Sequence, residues 1–204
     1  MSNIEFWNNR YKSDEYAYGT EPNAFFNEWI DKIQPGKILL PAEGEGRNAI
    51  YAAKLGWDVI AFDNSIEAKN KAMKLADINN VKINYFCAEF EDLNLEKNSF
   101  DAIGLIFAHF AGNKRREFHN ELTNYLKFGG YIILEGFSKK QLDYQKKFNS
   151  GGPSNVELLF SEEEIKDDFK ALETIKLETI ETELNEGLHH KGLASVVRYV
   201  GKKV

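Results

Sequence analysis

Length, composition and charge are those of an ordinary folded domain. The 204 residues are 43% hydrophobic and 28% charged, which is enough for one domain that buries its own core. The formal net charge of −6 disfavours nucleic acid and anionic membranes as partners, because both bind basic surfaces. The single cysteine, Cys87, excludes an internal disulfide and a zinc site built on several cysteines. No segment has the length and apolar character of a membrane span or a signal peptide, so we expect a cytoplasmic protein.

Apolar runs alternate with helical patterns from residue 37 to residue 136. The predicted strands span residues 37–42, 57–62, 82–87, 100–107 and 131–135. The predicted helices between them span residues 48–55, 65–79 and 114–126, with Gly56 ending the first and Ser65 capping the second. This rhythm predicts a parallel sheet that is covered by helices on both faces.

The last third of the chain departs from that rhythm. Residues 139–155 are mostly polar and contain glycine, which predicts a loop or a mobile helix. Ser161 and Glu164 form a capping-box pattern, in which each side chain satisfies a backbone N–H at the start of a helix. A short helix is therefore predicted to begin there.

Two alternating patterns at the end of the chain predict the final strands, residues 174–184 and 193–200. The connection between them is too short for a helical crossover, so the two strands should form an antiparallel hairpin. The predicted fold is α/β, a Rossmann-like three-layer sandwich. Its seven-stranded, mostly parallel sheet ends in an antiparallel C-terminal hairpin strand.

A glycine turn follows the first predicted strand. Residues 44–49 fit the pattern G-x-G-x-x-G/A, and Asp63 ends the next strand 19 residues after Gly44. Glycines allow the backbone to turn sharply and to approach a ligand, and a carboxylate one strand away can accept hydrogen bonds from ribose hydroxyls. The pattern predicts a nucleoside-containing ligand, NAD or S-adenosylmethionine, and a ligand-free strand–helix turn is the alternative. The terminal hairpin and the long segment before the first strand favour S-adenosylmethionine.

The same residues carry a family resemblance. Residues 39–48, LLPAEGEGRN, resemble the first motif of class I S-adenosylmethionine-dependent methyltransferases, commonly written LDLGCGEGRN. Residues 63–65 are similar to the second motif, and residues 126–130, LKFGG, resemble the LKPGG turn before strand five. The chain looks most like the small bacterial branch that is related to tellurite-resistance and thiopurine methyltransferases.

The first motif departs from the family pattern in the residues before Gly44. Leu40 stands where the family has an acid, Ala42 where it has the first glycine, and Glu43 where it has a small residue. The family's acid helps to hold the ammonium group of the methyl donor. We hypothesise that Glu43 supplies the missing negative charge, and the alternative is a backbone carbonyl in that role.

The resemblance implies one methyltransferase domain over residues 1–204, with S-adenosyl-L-methionine as the cofactor. Residues 1–36 would form a helical N-terminal cap, residues 37–136 the donor-binding core, and residues 137–204 the substrate-side loop, helix and hairpin. It further implies a small-molecule substrate, such as a thiol, a thiopurine-like compound or a chalcogen oxyanion. A monomer or a homodimer is expected.

The donor-binding residues are predicted from the carboxyl ends of the strands, where ligands of open parallel sheets bind, and from the N-terminal segment. They are Ala42, Glu43, Gly44, Gly46, Arg47, Asp63, Asn64, Glu89, Phe90, Phe107, Trp7, Arg10 and Tyr18. Arg47 is either a donor ligand or an exposed residue at a helix start. Trp7 and Arg10 either clamp the donor or belong to the ordinary packing of an N-terminal helix.

Few catalytic side chains are needed, because methyl transfer is an in-line displacement that depends on alignment. His109 and His190 are predicted as catalytic residues, since a histidine can deprotonate or orient an acceptor near neutral pH. The alternatives are a packing role for His109 and a solvated turn for His190. His119 is expected on the surface. No metal site is predicted, because no carboxylate–histidine spacing supports one.

Two other functions compete with methyl transfer. A nucleotide-dependent oxidoreductase would also use the glycine turn and Asp63. A protein that binds S-adenosylmethionine as a sensor, without catalysis, is compatible with the altered first motif.

Overall fold

The computed structural model describes residues 3–110 and 112–204. The strands are β1 Lys37–Pro41, β2 Asp58–Asp63, β3 Asn84–Cys87, β4 Phe100–Ile106, β5 Leu126–Phe137, β6 Glu173–Glu186 and β7 His190–Lys202. The helices are α1 Asn3–Tyr11, α2 Ala24–Ile30, α3 Arg47–Lys54, α4 Ile66–Ile78, α5 Gly112–Tyr125, α6 Gln141–Phe148 and α7 Glu162–Asp168. None of these helices is both long enough and apolar enough to cross a bilayer.

All seven strands belong to one sheet in the order β3-β2-β1-β4-β5-β7-β6. The first five strands pair in parallel, and β7 pairs antiparallel with both β5 and β6. The edge strand β6 therefore points in the same direction as the five parallel strands. This topology confirms the predicted fold class and brings the β6–β7 turn to the carboxyl edge of the sheet.

Both faces of the central strands are buried, which explains why they read as continuous apolar runs. Ile38 and Leu40 of β1 belong to the core under α2, α3 and α4, whereas Leu39 belongs to the core under α5 and α7. The period of two along a strand sends successive side chains to opposite faces. The result is a sheet between two helical layers.

The predicted helix caps are present. The Ser65 side chain accepts a hydrogen bond from the Ala68 N–H at the start of α4, at 3.2 Å. Ser161 and Glu164 form both halves of a capping box at the start of α7. Because caps depend on residues that are close in sequence, the sequence could predict them.

The largest differences from the predicted elements lie in the second half of the chain. Strand β5 begins at Leu126, and the predicted Gly129–Gly130 turn lies in an irregularity where residues 127–130 loop out between the pairs Phe100–Leu126 and Ala102–Tyr131. The polar segment 139–155 contains α6. Strands β6 and β7 pair as far as Glu186 and His190, so only residues 187–189 connect them.

Candidate functional site

A cavity of about 830 Å³ lies at the carboxyl edge of the parallel strands. Helix α1 and Tyr18 cover it from one side, and residues 149–155 and the β6–β7 turn border it from the other. Its volume falls within the usual range of small-molecule sites. The cavity is where the strand directions predicted a ligand site.

The structure brings nearly all predicted site residues to this cavity. Twelve of the thirteen predicted donor-binding residues line it, and so do both predicted catalytic histidines. Those lining residues are Trp7, Arg10, Tyr18, Ala42, Glu43, Gly44, Arg47, Asp63, Asn64, Glu89, Phe90, Phe107, His109 and His190.

Gly46 is the exception, and its role is packing. Its φ is 90°, and a Cβ at this position would lie 2.7 Å from the Ala72 Cβ. Only glycine therefore allows the start of α3 to approach α4. The prediction that Gly46 binds the donor is therefore corrected to a packing role, although Gly46 still ends the glycine turn.

The glycine turn presents its backbone to the cavity. Gly44 has a φ of 63°, and a Cβ there would lie 2.9 Å from the Tyr11 hydroxyl oxygen. The Tyr85 hydroxyl donates to the Gly44 carbonyl at 2.6 Å and holds the turn from the protein side. A side chain would thus close the space between the turn and α1.

Asp63 binds the backbone of the glycine turn and of Ser65, the residue that caps α4. Its Oδ2 accepts a hydrogen bond from the Gly44 N–H at 3.1 Å, and its Oδ1 accepts one from the Ser65 N–H at 2.9 Å. Burial raises the pKa of Asp63 to about 6, although these hydrogen bonds oppose the shift. Each carboxylate oxygen can accept a second bond, so the side chain fits a pair of ligand hydroxyls.

Glu43 caps α3. Its Oε1 accepts hydrogen bonds from the backbone N–H groups of Asn48 at 2.9 Å and Ala49 at 2.7 Å. Burial raises the pKa of Glu43 to about 7. The side chain also lines the cavity, so a cation bound there would favour its ionised form.

Glu45 was not among the predicted site residues, and it holds residues 13–18 against the glycine turn through hydrogen bonds and an ion pair. Its carboxylate forms a buried ion pair with Lys71 at 2.6 Å and accepts a hydrogen bond from the Tyr18 N–H at 3.4 Å. The Lys71 ammonium also donates to the Ser13 and Glu15 carbonyls. The residue lies inside the glycine turn, where its sequence position alone gives no sign of this contact.

Glu186, on the β6–β7 hairpin, receives donors from three separate elements. Its Oε2 lies 2.9 Å from an Arg47 guanidinium nitrogen and 3.1 Å from His190 Nδ1, and its Oε1 accepts a bond from the Asn23 amide at 2.9 Å. Arg47 is thereby buried, not exposed at a helix start. Neither Glu186 nor Asn23 could be predicted as a site residue from the sequence, because their partners lie far apart along the chain.

His109 has a structural role, which corrects the prediction that it is catalytic. Its Nδ1 donates to the Leu158 carbonyl at 2.6 Å, and its Nε2 accepts the Phe137 N–H at 3.4 Å. The ring also stacks on Phe160. Both ring nitrogens are therefore used within the protein.

Burial lowers the pKa of His109 to about 4. An unfolded histidine ionises near pH 6.5, so the unfolded chain takes up this proton first and folded-state stability falls by up to about 3 kcal/mol between pH 6.5 and pH 4. We expect His109→Phe to remove this contribution, because phenylalanine keeps the ring contacts but does not titrate. Urea unfolding of both proteins at several pH values checks it. An unchanged difference between the two proteins across this range would contradict it.

His119 is buried, whereas the sequence analysis expected it on the surface. Its Nδ1 lies 2.9 Å from Asp168 Oδ2, and Arg115 binds the same oxygen at 2.7 Å. The three side chains join α5 to α7. The helical pattern of α5 could not reveal this, since the carboxylate comes from another helix.

A family comparison agrees with this site. The family model described as "Methyltransferase domain" matches residues 38–130. This segment contains the glycine turn, Asp63 and strands β1 to β4. Residues 38–130, a little under half of the chain, are thus similar to a methyltransferase domain.

Solved structures share the fold of the whole chain. The structure titled "Conversion of a Disulfide Bond into a Thioacetal Group during Echinomycin Biosynthesis" has a TM-score of 0.79 at 16% identity and covers 99% of this chain and 92% of its own. TehB from Haemophilus influenzae has a TM-score of 0.74 at 18% identity, over 98% of this chain and 67% of its own. These likenesses support the class I methyltransferase fold.

A curated relative matches part of the chain. The tRNA (uracil(54)-C(5))-methyltransferase of Pyrococcus furiosus is 27% identical over an alignment of 113 positions, which covers 48% of this chain and 27% of that protein. The chain thus spans about a quarter of this relative's length. The match agrees with a methyltransferase domain but does not identify the methyl acceptor.

The cavity of the methyltransferase domain fits S-adenosylmethionine, the cofactor of its class. Asp63 would accept the two ribose hydroxyls through its unused lone pairs, and the Gly44 backbone lines the cavity beside it. Phe90, with Glu89 and Asn64 beside it, offers an apolar face and hydrogen-bonding groups for the base. Glu43 would face the cationic amino acid end.

The charge of Glu43 can be tested separately from its capping role. Glu43→Gln keeps a carbonyl that accepts the Asn48 and Ala49 N–H groups but removes the negative charge. We expect donor affinity to fall about tenfold, the usual difference between a charge-assisted and a neutral hydrogen bond. Calorimetry with S-adenosylmethionine measures it, with thermal unfolding as the control for the helix cap. Unchanged affinity would assign the contact to a backbone carbonyl.

Proposed function

We propose that this protein transfers the methyl group of S-adenosylmethionine to a small-molecule acceptor. One observation carries the proposal: the cavity extends from the glycine turn and Asp63 to an aromatic end formed by Phe107, Phe137 and His190. The first part suits the donor. The second part offers a separate space for an acceptor beside it.

The three residues of the aromatic end come from different elements: Phe107 directly follows β4, Phe137 ends β5 and His190 begins β7. The Phe107 ring lies 4.7 Å from the Phe137 ring and 4.4 Å from the His190 ring. Phe107 follows β4 with a φ of 52°, an unusual backbone conformation for a large side chain, and such conformations cluster at functional sites. These rings would hold an acceptor against the donor.

When bound, S-adenosylmethionine supplies a methyl group on a positively charged sulfur. The chain's own residues would align the acceptor with it and exclude water. Trp7 and Tyr11 stack on each other with ring centres 5.5 Å apart and form part of the N-terminal cover. Leu188 and His189, in the β6–β7 turn, donate their N–H groups to the Ala17 carbonyl, at 2.9 and 3.3 Å. Residues 3–18, which contain α1 and Tyr18, form this N-terminal cover. Together with the β6–β7 hairpin they would close the site as one unit.

A small-molecule acceptor is favoured over RNA by charge. The net charge of −6 disfavours binding to a phosphate backbone, and the similarity to a tRNA methyltransferase covers less than half of the chain. Thiols, thiopurine-like compounds and chalcogen oxyanions are the acceptors that the family resemblance suggests. A monomer or homodimer in the cytoplasm stays part of the proposal, and gel filtration and cell fractionation test it.

The release of S-adenosylhomocysteine tests the proposed function. Purified protein is incubated with S-adenosylmethionine and, in separate reactions, with thiols, phenols, selenite, tellurite or tRNA. We expect release with at least one small-molecule class and none above background with tRNA. Donor binding without turnover by any acceptor would support a sensor, and turnover with tRNA alone would overturn the small-molecule assignment.

A further inference from the structure

His190 is the residue at the aromatic end whose ring nitrogens are not both used. Its ring centre lies 4.4 Å from that of Tyr18, 4.4 Å from that of Phe107 and 5.1 Å from that of Phe137. Only 6% of the residue is exposed to solvent, and it lines the cavity. The ring is thus held between aromatic neighbours at the place where an acceptor would bind.

The Glu186 carboxylate fixes the tautomer of His190. Burial alone would raise the pKa of Glu186, but the hydrogen bond from His190 and the Arg47 ion pair hold that pKa at about 2. An ionised carboxylate can only accept hydrogen bonds, so the proton of a neutral His190 lies on Nδ1. Burial lowers the pKa of His190, which favours this neutral form.

The other ring nitrogen of His190 is then a proton acceptor. The Nε2 of His190 makes no hydrogen bond with any residue in the ranges 3–110 and 112–204. The Nε2 of His119 also has no partner, but that atom is fully buried, whereas the Nε2 of His190 is not. Nε2 therefore carries a lone pair at the aromatic end of the cavity. This is the arrangement in which a carboxylate orients a histidine as a base.

The charges of the cavity do not suit an anionic acceptor. Among the described residues, four carboxylates and two guanidinium groups line it: Glu43, Glu45, Asp63, Glu89, Arg10 and Arg47. Arg47 is neutralised by Glu186, and Arg10 donates to the Tyr18 hydroxyl and lies over the Phe6 ring. An oxyanion beside His190 would enter a cavity in which carboxylates outnumber guanidinium groups, and the lone pair on Nε2 would repel it.

We propose that His190 is the catalytic base and Glu186 its positioning residue, and that the acceptor is an uncharged aromatic compound with a weakly acidic S–H or O–H group. This rests on the proposed methyl transfer and narrows its acceptor. The proton of the S–H or O–H passes to His190 Nε2. The acceptor's electron pair forms the bond to the methyl carbon, and the carbon–sulfur bond of the donor breaks with its electrons remaining on sulfur. His190 then gives the proton to water, while Glu186 stays ionised.

A series of substituted thiophenols and phenols tests the base. With acceptors that are un-ionised at the assay pH, we expect His190→Gln to lower kcat by about a hundredfold or more. With an acceptor that is already ionised, such as 4-nitrothiophenol, the loss should be less than about tenfold, because no proton remains to be removed. Lys191→Gln, an exposed change next to His190, serves as the control. Equal losses across the series would overturn the base role.

A second readout does not depend on turnover. The ¹⁵N chemical shifts of His190 report its tautomer, and we expect the Nδ1–H form in the wild type and a mixture of tautomers in Glu186→Gln. Glu186→Gln should also lower kcat, and adding it to His190→Gln should cost little more, because the two residues act as a unit. A wild type with the proton on Nε2 would overturn the positioning role.

The failure of this inference is distinguishable from failure of the proposed function. Calorimetry with S-adenosylhomocysteine reports the donor site alone, and His190→Gln should keep the wild-type affinity. If the wild type binds this ligand but methylates selenite or tellurite and none of the thiols and phenols, the acceptor assignment is overturned and the methyltransferase assignment stands. If it binds no donor and releases no product, the proposed function itself fails.

Discussion

Replacing Asp63 with asparagine is expected to weaken the binding of S-adenosylhomocysteine about a hundredfold. Two ribose hydroxyls would donate to this carboxylate, and hydrogen bonds to charged groups contribute about 1.5–3 kcal/mol each. Asparagine keeps one accepting oxygen and loses the charge, so a loss of about 3 kcal/mol follows, which is roughly a factor of 10² in Kd. Calorimetry on the purified proteins measures the change.

Asp63 also binds the backbone, so the variant needs a control for folding. The carboxylate holds the Gly44 and Ser65 N–H groups at 3.1 and 2.9 Å, and asparagine can replace only one of these contacts. Thermal unfolding without ligand separates this structural loss from lost affinity. Asp58→Asn changes an exposed acid at the other end of β2 and should leave Kd unchanged. If Asp63→Asn bound as tightly as the wild type, a ribose contact at this residue would be excluded.

Asp168→Ala is expected to cost about 3–5 kcal/mol of stability, because it leaves the buried Arg115 without its main partner. The Asp168 side chain is fully buried, and that of Arg115 is 9% exposed. For a chain of this length, such a loss lowers the Tm by roughly 6–20 °C. Differential scanning calorimetry measures it.

The neighbouring acid supplies a matched control. Asp167 pairs with Arg116, and both side chains are about half exposed, so Asp167→Ala should cost less than about 1 kcal/mol. Burial opposes ionisation of Asp168, but His119 and Arg115 lower its pKa below the usual value of aspartate. The stability from Asp168 is therefore complete above that usual value and is lost as the pH falls through the lower, folded-state pKa. Equal costs for the two variants would contradict the buried cluster.

The parts of the fold that the sequence predicted depend on local patterns. The alternation of apolar runs and helices, the caps at Ser65 and Ser161, and the short hairpin connection all follow from residues that are close together in the chain. The glycine turn and Asp63 could also be predicted, since parallel strands place their carboxyl ends at one edge. The cavity lies at that edge.

The parts that the sequence could not predict depend on distant partners. Glu186 meets Arg47 across 139 positions, and His119 meets Asp168 across 49. A single sequence shows no period or motif that pairs such residues. His109 illustrates the same limit, because its place after β4 could be predicted but the bonds of its ring nitrogens could not.

Titration calorimetry of the wild-type protein tests the central claim most directly. The claim is that the part of the cavity lined by the glycine turn and Asp63 binds the adenosine of S-adenosylmethionine. Titration with S-adenosylhomocysteine should give saturable heat with one site per chain, and titration with NADH should give none. Saturable heat with NADH and none with S-adenosylhomocysteine would contradict the account.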